Sequence, residues 1–444
     1  MRGQTNRQLS FGEGFLDPEL FRLDEELKHV DEFLSEREFL KPFEAVFDPT
    51  MGRPGTAVDV YLRMMYLKFR WGLSYEEVET EVRERLPWRH FCRLSLMDSV
   101  PDATTLIKLN QRFGEERIAA LNKKLVRHLV KNKSIKPRRI RIDSTTLEAH
   151  IAYPTDVGLI HQTVRTLTRT AGKLGEKITS HVRATKKAVA RLGASLKVKK
   201  KVRKAQAMKT LRSVTKLAKD TVDQSRQALK HIKEGSAKGA SRPTAKLKQA
   251  FAAQIALAET ILQQTEEKLA GVKSIDDRIV SFHDPEARVI RKGKLDKPNE
   301  FGRTMQLVQD ASGIMLDYKI QEGNPSDKVE LVPMVKRFTH EFHQVPTDVA
   351  ADKGYYTADN TTKLRTMGVR RIGIPKIGRL LPHEKKRQHK RWFKLLYRFR
   401  CGIEAGISML KRQFLLDRVR SPGNRGTRIW AGFAIFSYNL WQMA

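Results

Sequence analysis

Arg138-Arg139-Ile140-Arg141-Ile142-Asp143 reads as a short β-strand. Ile140 and Ile142 alternate with Arg139 and Arg141, the two-residue period of a strand with one buried face, and the strand is expected to end at Asp143. On either side the chain reads as helix. Upstream, to about residue 135, Val58, Leu62, Met65 and Phe69 recur at three- and four-residue steps and stripe one helix face. Ser74 followed by Glu77 is a capping-box pair. Pro101-Asp102 followed by Thr105 opens a further helix. Short capped helices of this kind serve as a DNA reader or as a plain bundle. Downstream, Val164, Leu167, Ala171, Leu174 and Ile178 are spaced 3, 4, 3, 4. Phe251, Ile255, Ala258, Leu262, Thr265 and Leu269 are spaced 4, 3, 4, 3, 4. Both are coiled-coil-like seams. Gly235, Ser236, Gly239 and Pro243 interrupt them, so two or more long helices folding back on each other are expected.

From about residue 276 strands and helices alternate. Thr304 to Asp310 and Ile314 to Gln321 flank Ala311-Ser312-Gly313 as a β-hairpin. Asp327 with Glu330 caps a helix through Phe342, and Val349 to Asp352 is a buried strand ending in an acid. Thr357 opens a helix closed by Gly368, Arg371 to Pro375 is a strand, and a long basic helix runs from about Glu384 to Phe414. The alternation argues an α/β fold. The expected division is an N-terminal helical domain over 1–135, an α/β domain of 136–153 with 276–444, and a basic helical insertion over 154–275.

The 444 residues carry 85 Lys and Arg against 50 Asp and Glu, a net charge of +35. Such an excess speaks to partners rather than fold, and nucleic acid is the expected polyanion, with anionic membrane its rival. Residues 171–250 alone hold 23 basic and 4 acidic residues, a net +19. A charge run is ordinarily a solvated face, but one so nearly single-signed repels itself unless an anion balances it. Lys199, Lys200, Lys201, Arg203 and Lys204 are therefore candidate phosphate contacts. Two cysteines, Cys92 and Cys401, exclude a disulfide framework and a Cys-based zinc cluster. The N-terminus lacks the apolar stretch of a signal peptide. No apolar run reaches the roughly 18 residues of a spanning helix. A soluble, cytoplasmic, nucleoid-associated protein without a membrane partner is expected.

Phosphodiester chemistry commonly uses two divalent cations, one at the nucleophile and one at the leaving oxygen. Mg²⁺ takes carboxylate oxygens with water completing its octahedron, and Mn²⁺ substitutes for it. Asp143 and Asp352 each end an expected strand, where α/β sites sit. Taken singly, an Asp in such a place is more often a turn former or helix cap. Tyr397, Arg400, Glu404 and Lys411 fall at roughly 0°, 300°, 340° and 320° around a helix of about 100° per residue, a stripe about 60° wide. Phe399, Ile403, Ile407, Leu410 and Phe414 occupy the adjacent arc, which would dock on the sheet. A Glu between Arg and Lys at such a rim reaches a metal while the cations hold phosphate. The same stripe also describes an ordinary helix with a surface salt bridge. Ten basic residues in 376–400, Lys385, Lys386, Arg387, Lys390 and Arg391 among them, face the single acid Glu384 and suit a DNA groove.

Tyr397, Arg400, Glu404 and Lys411 at these spacings resemble the YREK signature of bacterial insertion-sequence transposases of the DDE class. Asp352-Lys353-Gly354-Tyr355 is similar to that family's block around its second acid, and Arg141-Ile142-Asp143-Ser144-Thr145-Thr146 to the block around its first. The region from Tyr61 to Arg112 looks like its N-terminal helical domain. The resemblance spans most of the chain outside 154–275. It implies an RNase H-like mixed-sheet core interrupted by an insertion after the first strand, a metal triad of Asp143, Asp352 and Glu404, and two Mg²⁺ ions. It further implies double-stranded DNA as partner, a homodimer holding two element ends, and a DNA transposase that cuts at those ends and transfers a 3′-OH into target DNA. Tyr397 is then a phosphate or sugar contact, and Arg400 and Lys411 hold phosphate near Glu404. The acids are 209 and 52 residues apart. The long first gap departs from the simplest members, and many large relatives place an insertion before the last acid instead. An RNase H-like nuclease that cuts without joining needs the same acids, and a catalytically dead DNA-binding or architectural protein shares the charge. A basic coiled-coil partner protein explains 154–275 but not the stripe.

Overall fold

A computed structural model of the protein describes residues 3, 13–48, 50–52, 55–194, 200–234, 245–272, 274–291, 299–376 and 378–444. They form two compact units, Met1–Glu148 with Arg303–Ala444, and Ala149–Gly302. The first unit begins with α1 (Glu25–Leu34), α2 (Arg37–Glu44), α3 (Val58–Arg70), α4 (Tyr75–Glu84), α5 (Leu86–Phe91) and α6 (Ala103–Lys131). The Ser74–Glu77 box closes in both directions at the start of α4, and Asp102 accepts from the Thr105 amide at 2.7 Å to open α6. Then comes β1 (Arg139–Ala149). The second unit holds α7 (Asp156–Lys173), α8 (Val182–Ala194), α9 (Lys200–Lys233), α10 (Ala245–Leu269) and β2 (Arg288–Arg291). From β3 (Asn299–Gln309) the chain continues through β4 (Met315–Ile320), α11 (Asp327–Phe342), β5 (Asp348–Ala351), α12 (Ala358–Thr366), β6 (Arg371–Gly373), α13 (Pro382–His389), α14 (Arg391–Gln413), β7 (Arg418–Val419) and α15 (Gly423–Met443).

The sheet of the first unit runs β4-β3-β1-β5-β6, with β7 on β1. β1, β5 and β6 are parallel, while β3 and β4 form the expected antiparallel hairpin around Gly313, whose φ of +93° suits glycine. This is the mixed sheet of an RNase H-like core, with helices in front of it and around it. One hydrophobic cluster joins the N-terminal helices, the sheet and α15. The sequence pattern gives α3 a single buried stripe, yet the helix is buried on every face, Asp59, Arg63 and Lys68 included. It is the central helix, packed by α1, α2, α4 and α15.

Two further expectations need correction. β1 does not end at Asp143 but continues to Ala149. Its parallel pairing with β5 stops at Ile142 opposite Ala351, and β7 pairs with it as well, so Asp143 sits where β1 outruns one neighbour. The basic helix from Glu384 to Phe414 is two helices, broken at Lys390 in extended conformation (φ −60°, ψ 141°). α13 has no buried residue, whereas the buried α14 seam starts at Phe393.

In the second unit α7, α8, α9 and α10 form a bundle. Val164, Leu167, Ala171 and Leu174 are buried, as are Phe251, Ile255, Ala258, Leu262 and Thr265. Ile178 lies beyond the end of α7. α9 supplies a third seam, Leu211, Val214, Ala218, Val222, Ser225 and Ile232. Gly235, Ser236, Gly239, Pro243 and Lys199 lie outside the described residues.

Candidate active site

Alternate residues of β1 face α14. Arg139 and Arg141 stack on the Phe399 ring at 4.7 and 4.9 Å. Arg141 also donates from Nη1 to the Phe399 carbonyl at 2.9 Å and from Nε to Gln309 Oε1 at 2.8 Å. These bonds fasten α14 to the sheet at the height of Asp143. There Arg400 Nη1 reaches Asp143 Oδ2 at 3.3 Å, and its Nη2 donates to Glu404 Oε1 at 2.5 Å. One guanidinium thus ties the first and third expected acids together. Arg400 is itself part of the buried α14 face, with Phe393, Leu396, Ile403, Gly406 and Leu410, rather than at its rim. Its Nε is buried without a hydrogen-bond partner among the described residues.

Asp352 follows directly on β5. Because Ile142 pairs with Ala351, Asp143 and Asp352 are the next residues on two adjacent parallel strands, whose spacing is about 4.8 Å. Among the described residues no hydrogen bond or ion pair holds the Asp352 carboxylate. A fourth acid, Asp327 in the first turn of α11, comes from the other side. It accepts from Ser144 Oγ at 3.1 Å and from Gln306 Nε2 at 2.7 Å, and the buried Tyr355 hydroxyl donates to Gln306 Oε1. The sequence offers Asp327 only as a helix cap. In the structure it caps nothing, and no spacing signal marks it.

Burial pushes the Asp143 carboxyl up to about 6. The Ser144 amide, donating to its Oδ1 at 2.8 Å, and Arg400 pull it down, while the Asp352 and Asp327 charges push it further up. The cluster is therefore short of positive charge, which is the condition a divalent cation relieves. Asp143 is 17% exposed and Glu404 61%, so the latter's carboxylate has room to swing. As they stand, no three His, Cys, Asp or Glu side chains among the described residues are grouped to hold a metal ion.

The expected DNA contacts lie in several settings. Tyr397 is exposed with Arg400 packed against its ring at 5.5 Å, and Lys411 is half-buried. Lys385, Lys386, Lys390 and Arg391 are exposed and Arg387 lies over the Phe393 ring. Glu384, the one acid of that run, is taken up by Lys376 at 2.8 Å. Lys200, Lys201, Arg203 and Lys204 are on the first turns of α9, and only their backbone is described. No helix among the described residues is long and apolar enough to cross a membrane.

Two family models and one curated relative match the chain. A Transposase DDE domain matches residues 268–440, which include Asp352 and Glu404 but not Asp143. A Transposase domain (DUF772) matches residues 18–112. The chain is 30% identical over 159 residues to the uncharacterized protein ORF8 in the nfe locus of Rhizobium meliloti, a match covering 34% of this chain and 76% of that protein. No solved structure matches.

Proposed function

The chain belongs to the DDE transposases, a DNA-binding family of transposition enzymes that generally uses divalent metals, and from that premise we propose that it cuts DNA at the ends of its element and joins the freed 3′-OH to target DNA. The observation that carries this reading is Arg400 bridging Asp143 and Glu404 beside Asp352 on the adjacent strand. Asp143 and Asp352 would hold divalent cation, with Glu404 joining them once its carboxylate leaves Arg400. Mg²⁺ bound there would supply Lewis-acid polarisation of phosphate and an acidified water. Two ions fit the charge of the acids, and Mn²⁺ would substitute.

In the first step a water oxygen attacks the phosphorus, the bond to the 3′ oxygen breaks, and that oxygen takes up a proton. In the second, the 3′-OH loses its proton and attacks a target phosphorus in line, displacing the target's own 3′ oxygen. Asp143, once ionised, and Asp352 would fix the reacting centre where β5 ends beside β1, between two central strands of the sheet. Arg400, released from Glu404, is placed to hold a phosphate oxygen, since guanidinium matches phosphate geometry. Tyr397 and Lys411 flank it on the same helix. Lys385, Lys386, Arg387, Lys390 and Arg391 extend positive charge beyond the site and would carry affinity, as phosphate contacts do.

A strand-transfer assay tests the reading, with a labelled element-end duplex, a supercoiled target and Mg²⁺. Cleavage with joining supports a transposase, and cleavage alone points to a nuclease. Asp352→Asn should reduce both products to background while duplex affinity stays nearly unchanged, because the amide is a poorer metal ligand but leaves the basic residues intact.

A further inference from the structure

Where α3, α4, α6 and the start of α15 meet, the first unit forms a half-open cavity of about 600 Å³ that shares no residue with the acid cluster. Lys68 lines it and is 1% exposed. Its ammonium donates to the Leu73 carbonyl at 2.9 Å and lies over the rings of Phe69, Tyr75 and Trp430, at 4.7, 4.6 and 4.4 Å. Among the described residues no carboxylate forms an ion pair with it. Burial, and then the charge of Arg420, push this lysine down to about 7, against the pull of Glu76 and Glu77. An uncompensated buried charge is costly, and an apolar side chain of similar length would fill the space more cheaply.

Two more cations line the same cavity. Arg420 is exposed and makes no hydrogen bond or ion pair among the described residues, and Arg425 donates to the Gln111 carbonyl at 2.7 Å. Glu76 is the one acid in the lining. α15, 21 residues long, starts here with no side-chain cap, so the positive end of its dipole adds to the three cations. The rest of the wall mixes apolar residues, Ile429 and Trp430 among them, with the uncharged donors Ser74, Asn110, Gln111 and Ser421. Depth, charge and helix end all suit a tetrahedral dianion. We infer that this cavity binds a phosphate group, of a DNA backbone or of a free nucleotide, through Lys68, Arg420 and Arg425.

Calorimetric titration of the full chain with inorganic phosphate at constant ionic strength tests this. Saturable binding to one site is expected, weakened about tenfold or more by Lys68→Met and by Arg420→Gln, since each removes a charged hydrogen-bond donor. Arg420 is a surface residue, so its variant carries the test should Lys68→Met fail to fold. If saturating duplex DNA blocks phosphate, the natural source is the DNA backbone. If phosphate still binds, the source is a free nucleotide. Absence of saturable binding, or folded variants that bind like the parent chain, would overturn the inference and leave Lys68 as a ring-packed structural cation. Phosphate binding is read without any cleavage step, so this outcome is independent of the strand-transfer result.

Discussion

Arg400 carries the logic of the site at the scale of single residues. It is charge partner to Asp143 and Glu404 together, and it is one of the buried residues of α14. The helical stripe of Tyr397, Arg400, Glu404 and Lys411 is legible from spacing, because a helix repeats in sequence what it repeats in space. Asp327, Gln306 and Gln309 are not legible. Their roles come from the tertiary approach of α11 and β3 to β1, which leaves no local pattern. Asp143 yields a pH prediction. Its folded carboxyl titrates near 6 against an ordinary value of 3.8, so the folded state binds the proton more tightly than the unfolded state does. Stability therefore falls as pH rises from about 4 to about 6 and stays lowered above that, by about 3 kcal/mol at most. Asp143→Asn lacks the ionisation. In chelator-treated protein it should melt above the parent chain at pH 8, and the difference should shrink towards zero at pH 4. A constant difference across that range would show that Asp143 is not desolvated.

Elements read well where they are regular and poorly where neighbours decide them. The Ser74–Glu77 and Asp102–Thr105 caps, the hairpin and the two long seams short of Ile178 follow from short-range chemistry, and the structure keeps them, whereas the expected Asp327 cap gives way to bonds from Ser144 and Gln306. The end of β1 and the break at Lys390 do not follow from it, since strand length depends on β7 and helix continuity on what α13 has to pack against. The α9 seam is hidden because Ala218 and Ser225 serve as seam positions in a segment that reads as a basic run. The docking of α14 on the sheet gives a prediction of its own. A Cβ at Gly402 would overlap the Arg141 guanidinium, whose Nη1 holds the Phe399 carbonyl. Alanine favours helix by about 1 kcal/mol over glycine, but displacing a buried, doubly bonded arginine costs roughly 1–3 kcal/mol. Gly402→Ala should lower the melting temperature and cut DNA cleavage more than DNA binding. A higher melting temperature with full cleavage would mean that Arg141 is free to move aside.

Charge is a property of the whole molecule. More than half of the net +35 falls in 171–250, within the second unit. That unit has its own core, so it can be removed without opening the other. Replacing 160–270 by a short Gly/Ser linker should leave a folded catalytic unit with weaker duplex binding. The log–log salt slope should become shallower by about 0.9 for every phosphate that the bundle neutralises in the full chain. A folded deletion variant with an unchanged slope would make the bundle a spacer rather than a DNA arm.

The central claim is that Asp143, Asp352 and Glu404 hold one metal centre although 209 and 52 residues separate them. Metal-directed cleavage of the polypeptide tests it most directly. Fe²⁺ replaces Mg²⁺ on the DNA-bound protein, and ascorbate with peroxide generates hydroxyl radicals at the ion. The account predicts chain cuts in three places, next to residues 143, 352 and 404, all suppressed by excess Mg²⁺ and all absent in Asp352→Asn. Cuts near 143 and 352 that persist while the segment around Glu404 stays intact would contradict it.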